Sequence, residues 1–231
     1  MSQQVSLFHT YIQDVAQAPE QDSTVVTEPA LAPESTCVYA TLDVARAAAK
    51  ACTACRLHEG RTNMVFSDGN PEAKIMFIGE GPGQQEDETG VPFVGRAGQL
   101  LTKIIESAGL SRAEDTYICN VVKCRPPGNR EPQPDEALAC ADFLSAQIAL
   151  VRPKIIVLVG KTAVKWVLKQ QDVPISKMRG KWLDSPYPNT KMMAVFHPSY
   201  LLRNPSPNEG TPKWLTWQDM LEIKREWETL S

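Results

Sequence analysis

Four cysteines are spaced so that they could hold a metal centre. Cys52 and Cys55 form a CxxC pair, and Cys124 and Cys140 lie far downstream, sixteen positions apart. Cys124 directly follows a predicted strand and Cys140 falls in the second turn of the next predicted helix, so the segment between them can fold back. Four thiolates suit a tetrahedral zinc ion, the simpler choice, or an iron–sulfur cluster, and their spacing does not distinguish the two. The other two cysteines are predicted to be free thiols: Cys37 in a linker and Cys119 inside a strand.

A glycine-rich turn follows an apolar run in the segment "KIMFIGEGPGQQEDETGVPFVG", residues 74–95. Phosphate-binding loops begin in this way, but this turn has no Lys or Arg before Arg96 and holds four acids: Glu80, Glu86, Asp87 and Glu88. Anion sites need hydrogen-bond donors and a favourable field, which these acids oppose. The loop therefore predicts a pocket for a neutral planar ligand, or for a water molecule held by a carboxylate, with Phe93 as a stacking face.

Polar residues near the ends of two later strands suggest what that ligand is. Asn120 lies in an otherwise apolar strand, and a buried carboxamide needs a hydrogen-bond partner from the backbone or from a ligand. Its adjacent donor and acceptor match one edge of a nucleobase. His197 ends the last strand, where Pro198 turns the chain. After it come two apolar residues and a cation, as in proteins that intrude between stacked bases: Leu201, Leu202 and Arg203.

The elements that must position these residues alternate between helix and strand from about residue 41 onward. Four short apolar strands are predicted at 74–79, 116–122, 154–160 and 191–196. Helices are predicted between them and at both ends: 41–51, 96–109, from Pro134, 162–171 and 212–229. Apolar strands separated by helices predict an α/β three-layer sandwich, with a central four-stranded parallel sheet and helices on both faces. Ligands of such sheets bind beyond the carboxyl ends of the strands.

Composition sets the remaining bounds on the 231-residue chain. Residues 15–40 are rich in Ala, Pro, Glu and Ser, so we expect a disordered tail over 1–40 and one folded domain over 41–231. No apolar run is long enough to span a membrane and the N-terminus is not a secretory signal, which predicts a cytoplasmic, nucleoid-associated protein. Residues 161–203 carry a local net charge of +6, which suits a polyanionic partner as well as an ordinary solvated surface.

Together these stretches resemble the family-4 uracil-DNA glycosylases, which are iron–sulfur enzymes. The matching segments are "CTACRL", "GEGPGQQEDETGVPFVGRAGQLL", "NVVKCRPPGNREPQPDE" with Cys140, and "HPSYLLRNP", within about residues 47–205. Gly81 departs from the family, which usually has Ala there. The resemblance implies a 4Fe-4S cluster on Cys52, Cys55, Cys124 and Cys140 in place of zinc, with Arg56, Lys123 and Arg125 beside it.

The resemblance also implies roles for the site residues. Uracil would be taken out of DNA, stacked on Phe93, held by backbone groups at Gly79, Glu80 and Gly81, and recognised at its O4/N3–H edge by Asn120. His197 would donate a hydrogen bond to O2 as the N-glycosidic bond breaks. Glu80 would position water or stabilise the cationic sugar, with Glu86 as the second candidate. Leu201, Leu202 and Arg203 would fill the gap left in the DNA.

A further partner is suggested by the segment "QVSLF" near the N-terminus. Gln4, Leu7 and Phe8 resemble the short peptide by which bacterial repair proteins dock on the sliding clamp, although an incidental match or a short helix is equally compatible with five residues. DNA containing uracil is the main expected partner, no membrane is expected, and the protein is predicted to be a monomer.

Two other functions compete with the glycosylase as interpretations of these residues. A non-catalytic iron–sulfur or zinc protein that senses damaged DNA would bind without releasing a base. A nucleotide-transferring enzyme would need a Lys and a Ser or Thr where the glycine-rich loop enters its helix, and "GPGQQED" has neither. The sequence therefore counts against the transferase, and the sensor remains the alternative to the enzyme.

Overall fold

A computed structural model describes residues 38–170 and 174–230. Its strands are β1 (Asp68–Gly69), β2 (Ile75–Gly79), β3 (Thr116–Asn120), β4 (Ile155–Val159), β5 (Trp182–Leu183) and β6 (Lys191–Val195). Its α-helices are α1 (Leu42–Ala51), α2 (Leu57–Gly60), α3 (Gln84–Thr89), α4 (Arg96–Ser107), α5 (Pro134–Val151), α6 (Lys161–Val167), α7 (Ile175–Met178), α8 (Pro198–Arg203) and α9 (Pro212–Glu228). The four predicted strands and five predicted helices are confirmed, with bounds shifted by a few residues.

The sheet has the strand order β1-β3-β2-β4-β6-β5. The four inner strands run parallel, as predicted, and they place Gly79 opposite Asn120 at the end of the β2–β3 register. The count of four strands is corrected to six among the described residues, because a two-residue strand pairs antiparallel at each edge of the sheet. Such short strands leave no alternating pattern in the sequence.

Two apolar cores lie on opposite faces of this sheet. The β2 side chains alternate between them: Met76 and Ile78 pack with α1, α5 and α6, whereas Ile75 and Phe77 pack with α4 and α9. Strands buried on both faces carry apolar residues at every position, which explains their unbroken apolar runs. The predicted α/β sandwich of three layers is therefore confirmed.

Several predictions fall wholly or partly outside the described residues. These include the proposed clamp peptide and the linker cysteine: Gln4, Leu7, Phe8 and Cys37. The division into a tail over 1–40 and a domain over 41–231 stays a prediction. Within the described parts of the chain, no helix is long and apolar enough to cross a membrane.

Candidate active site

The carboxyl ends of the inner strands open into one cavity of about 770 Å³. Most of the predicted site residues line it: Glu80, Gly81, Glu86, Phe93, Asn120, His197 and Arg203. They come from three separate stretches of the chain, residues 80–93, 120 and 197–203, which the sheet order β3-β2-β4-β6 brings to one edge. The convergence expected from the strand ends is thus present.

Asn120 is the last residue of β3 and is 2% exposed. Its Oδ1 atom is buried and has no hydrogen-bond partner among the residues that the structure describes. Gly79 lies against it, and a Cβ added there would collide with this oxygen and with the ring of Phe93. The glycine therefore leaves the amide and the aromatic ring side by side in the cavity, with an acceptor free for a ligand.

Phe93 is held in an unusual backbone conformation. Its φ angle is 54°, in the left-handed region that non-glycine residues seldom adopt. Its ring lies 6.1 Å from that of His197, measured between centroids and inclined at 36°. The backbone of Phe93 also presses on α4 at Gly98, where a Cβ would overlap it. This close contact between the backbone of Phe93 and Gly98 fixes the position of the phenyl ring.

Arg112 braces the same turn from behind, a role that the sequence did not indicate. Its guanidinium donates to the carbonyl oxygens of Pro92 at 2.7 Å and Phe93 at 3.0 Å. It also bonds the hydroxyl of Thr102 at 2.8 Å and the carboxylate of Asp68 at 2.9 and 3.0 Å. With these five bonds the side chain fixes the turn that presents the aromatic ring.

His197 immediately precedes α8 and turns its imidazole into the cavity. Its Nδ1 accepts the backbone N–H of Ser199 at 3.2 Å and lies 2.8 Å from the hydroxyl of the same residue. Burial, aided by the nearby charge of Arg203, lowers the pKa of His197 to about 4. The ring is therefore neutral at pH 7, and because Nδ1 accepts, its proton resides on Nε2.

Glu80 follows β2 directly and lines the same cavity. The hydroxyl of Thr162 donates to its Oε2 at 2.6 Å. Burial raises the pKa of Glu80 above its ordinary value, and the bond from Thr162 opposes that rise. The carboxylate is thus partly desolvated and anchored by one oxygen.

Two of the other acids of the loop, Glu86 and Asp87, are engaged with backbone groups. Glu86 accepts the N–H groups of Gly83, Val94 and Gly95 at 2.8 to 3.1 Å, so both of its oxygens are occupied. Asp87, which is buried, accepts the N–H of Thr62 at 2.9 Å. The acidity of this loop is therefore largely structural, and Glu80 is better placed than Glu86 for chemistry.

The segment expected to enter DNA forms the short helix α8. Leu202 is 38% exposed and Arg203 lines the cavity rim. Leu201, by contrast, is 1% exposed and packs inward. The expectation that Leu201 enters DNA is corrected accordingly. Consecutive helix positions point about 100° apart, and here Leu202 falls on the exposed side of the helix while Leu201 falls on the buried side.

One small cavity is lined by all four predicted ligand cysteines. Two of them form the CxxC pair, one follows β3 and one lies in α5. Among residues 38–170 and 174–230, no three or more His, Cys, Asp or Glu side chains are arranged to hold a single metal ion. Burial raises the pKa of the thiols of Cys55, Cys124 and Cys140, the last to about 11.

Donors surround this cysteine cavity. The backbone N–H of Lys123 donates to Cys140 Sγ at 3.3 Å, and Arg61 donates to Cys124 Sγ at 3.2 Å. Of the three cations expected here, Arg56 instead pairs with Asp135 at 2.7 Å, and Arg125 bonds Asn129. Arg61 was missed because nothing in the sequence separates it from other surface arginines.

Comparisons with known proteins agree with this arrangement. The family model described as the uracil DNA glycosylase superfamily matches residues 66–221. The type-4 uracil-DNA glycosylase of Thermotoga maritima is 53% identical over 160 residues, which cover 68% of this chain and 81% of that protein. The type-4 uracil-DNA glycosylase of Archaeoglobus fulgidus is 43% identical over 163 residues, with the same coverage. The type-5 uracil-DNA glycosylase of Pyrobaculum aerophilum is 30% identical over 172 residues, 68% of this chain and 72% of that protein. The chain therefore belongs to the uracil DNA glycosylase superfamily, and its sequence places it with the type-4 members.

Proposed function

We propose that the protein removes uracil from DNA by hydrolysing its N-glycosidic bond, leaving an abasic site for repair. The relatives that carry the name uracil-DNA glycosylase support this activity. A base stacked in a duplex cannot reach the end of a sheet, so the nucleotide must be flipped out into the cavity.

The observation that carries this proposal is the free acceptor on Asn120. Its Oδ1 is buried and accepts no hydrogen bond from any residue in the described part of the chain. The N3–H of uracil supplies that donor, while the amide nitrogen of the same side chain reaches O4. Cytosine presents a lone pair at N3 and an amino group at C4, which would leave both pairs mismatched at roughly 1–3 kcal/mol for each group. The asparagine therefore selects uracil over cytosine.

The remaining groups around Asn120 fit a planar ligand. The ring of Phe93 provides a face on which the base can stack, worth about 1–3 kcal/mol for an aromatic platform. Backbone groups from Gly79 to Gly81 border the base, because the glycine at 79 leaves no side chain in the way. Thymine carries a methyl group at C5. The backbone from Gly79 to Gly81, which lies close to the base, therefore also disfavours thymine.

His197 acts on the departing base. Its Nδ1 is occupied by Ser199, so the neutral ring offers its Nε2–H to O2 of uracil. Negative charge develops on that oxygen as the bond to the sugar breaks. A donor aimed at charge that appears only in the transition state accelerates the reaction more than it strengthens substrate binding.

Glu80 acts on the sugar side. Its ionised carboxylate stabilises the cationic sugar or holds the attacking water, and Thr162 keeps one of its oxygens in place. Glu86, the second candidate, supports the loop through three backbone N–H groups. On the outer rim, Leu202 and Arg203 fill the space left by the flipped nucleotide.

The likeness to the type-4 enzymes favours a 4Fe-4S cluster over zinc in the four-cysteine cavity. Four thiols line this cavity, and N–H donors from Lys123 and Arg61 face the sulfurs of Cys140 and Cys124. We assign Cys52, Cys55, Cys124 and Cys140 as the ligands of the cluster. The cluster would supply cross-links between three distant segments of chain, and two of those ligands follow β3, which carries Asn120.

Base release from oligonucleotides tests the function directly. Duplexes carrying one uracil, thymine or cytosine are incubated with the protein, and abasic sites are revealed by alkaline cleavage. We expect cleavage at uracil only, lost in Asn120→Ala and His197→Ala and kept in Asn208→Ala, an exposed asparagine that serves as control. Binding of uracil-containing DNA without any base release would favour the non-catalytic sensor instead.

A second proposal concerns the N-terminal segment. The likeness of Gln4, Leu7 and Phe8 to a clamp-binding peptide supports docking on the bacterial sliding clamp. The full chain should retain purified clamp in a pull-down, and a Leu7→Ala/Phe8→Ala double variant should not. Equal recovery by both proteins would reject the proposal.

A further inference from the structure

Lys123 is a buried lysine between the two centres of the molecule. It stands between Asn120, the proposed uracil reader, and Cys124, and its side chain is only 1% exposed. Its Nζ donates to the backbone carbonyl of Asn120 at 2.5 Å and to Oε1 of Gln147 at 2.6 Å. The ring of Phe66 lies below it, 5.9 Å from Nζ to the centroid. The ammonium therefore has two oxygen acceptors and one aromatic face.

No carboxylate in the described part of the chain forms an ion pair with Lys123. Two other buried acids have a cationic partner: Glu136 pairs with Arg130, and Asp219 pairs with Arg179. A charge taken out of water is costly unless a counter-charge compensates it. The lysine therefore needs an anion close by that no acidic side chain supplies.

The cysteine centre is a candidate for that anion, because Lys123 lines the same small cavity as the four cysteines. The backbone N–H of Lys123 already donates to Cys140 Sγ at 3.3 Å. Four thiolates around a cluster would carry net negative charge, so the lysine and the centre compensate each other across a short buried path.

The other end of the path reaches the base pocket. Pairing of β2 with β3 ends opposite Asn120, whose carbonyl oxygen accepts from Lys123. Gln147 fixes the lysine in turn, because its Nε2 donates to the carbonyl of Phe66 at 2.9 Å and to the hydroxyl of Tyr117 at 3.1 Å. The peptide that carries the uracil-reading amide is thus tied to a lysine whose own position depends on the cysteine centre.

We propose that Lys123 is a positioning residue with two roles. It balances the charge of the four-cysteine centre, and through its bond to the carbonyl of Asn120 it holds the side-chain amide of Asn120 in the position that recognises uracil. This inference rests on the proposed function, since it concerns the same pocket and the same metal centre. It assigns the centre an influence on base recognition that needs no electron transfer.

The test replaces the charge while keeping the volume. In Lys123→Met we expect the visible absorbance of the holoprotein to bleach about tenfold faster with an iron chelator, the size typical of losing a group that supports metal ligands. We also expect the KM for uracil-containing DNA to rise about tenfold, with a smaller change in kcat. Lys103→Met, on the exposed side of α4, is the matched control and should behave as the wild type.

A second variant, Lys123→Gln, keeps the test decisive if Lys123→Met folds poorly. Lys123→Gln retains a donor without the charge, so bleaching should accelerate as in Lys123→Met while KM rises less. A wild-type bleaching rate in either variant overturns the charge-balancing role, and a wild-type KM in Lys123→Met overturns the link to Asn120. A wild-type protein that releases no uracil refutes the proposed function instead, and the bleaching measurement still decides the role of the lysine.

Discussion

The hydroxyl of Thr162, at the start of α6, donates a 2.6 Å hydrogen bond to the carboxylate of Glu80, at the end of β2. Burial raises the pKa of Glu80, and this bond is the largest influence that lowers it. One threonine on a neighbouring element thus helps to keep the proposed catalytic carboxylate ionised.

Thr162→Val should therefore raise the pKa of Glu80 further. Because the ionised form is required, activity falls as pH falls through that pKa, and the acid limb of the kcat/KM profile should move to higher pH. The rate near pH 8 should stay within about threefold of the wild type, since the carboxylate is ionised in both proteins there. Thr190→Val removes a hydroxyl bonded to Pro153 far from the cavity and is the control. An unmoved acid limb would mean that Glu80 does not set it.

His197→Ala should lower the single-turnover rate by about 10²–10³-fold, the usual effect of losing a transition-state donor, with little change in DNA binding. Ser199→Ala should cost far less, because the backbone N–H of that residue still occupies Nδ1. A pKa near 4 keeps the imidazole neutral at pH 6.5, where an ordinary histidine is half protonated. If the wild-type rate falls with decreasing pH at a midpoint near 6.5, and this fall is absent in His197→Ala, the neutral imidazole is not the donor.

Gly79→Ala should close the base pocket without unfolding the chain. The added Cβ would meet Asn120 and the ring of Phe93, and one of them must move. We expect kcat/KM for uracil to fall at least about tenfold, equivalent to about 1.4 kcal/mol, with thermal stability changed only slightly. Gly60→Ala is the matched control, because a Cβ there meets nothing within 4 Å. Equal activity of the two variants would show that the base does not lie against Gly79.

The sequence predicted the central elements because their patterns are long and regular. The apolar runs of β2 and β4 lie between two helical layers, and every position on them is buried. Asn120 was recognised as a site residue for the converse reason, since a polar side chain in such a strand needs a special partner. These properties depend on neighbours in sequence, so they can be read without a structure.

Other features depend on contacts that no local pattern records. In the sequence, Arg112 and Arg61 look like ordinary surface arginines. Only the fold brings Arg112 to the carbonyl of Phe93 and Arg61 to the sulfur of Cys124. Glu86 resembled a catalytic acid because its three backbone partners become apparent only when the loop closes on itself. Leu201 was expected in DNA because the sequence does not show which side of a six-residue helix faces inward.

Arg112→Met provides the last prediction, which concerns the strained turn. The φ of 54° at Phe93 costs of order 1–3 kcal/mol, and bonds from Arg112 to the carbonyls of residues 92 and 93 offset it. Without them the turn should relax and the ring should leave the stacking position. We expect KM for uracil-containing DNA to rise about tenfold, with a smaller change in kcat.

The double variant Arg112→Met/Phe93→Ala separates this effect from a general loss of stability. If the arginine acts through the aromatic ring, it has nothing left to position once the ring is gone, and the double variant should bind substrate no worse than Phe93→Ala alone. Additive losses in KM would instead mean that Arg112 supports the pocket by another route. Asp68→Asn, which removes the charge partner but leaves both carbonyl bonds of Arg112 available, should show only a small part of the Arg112→Met effect.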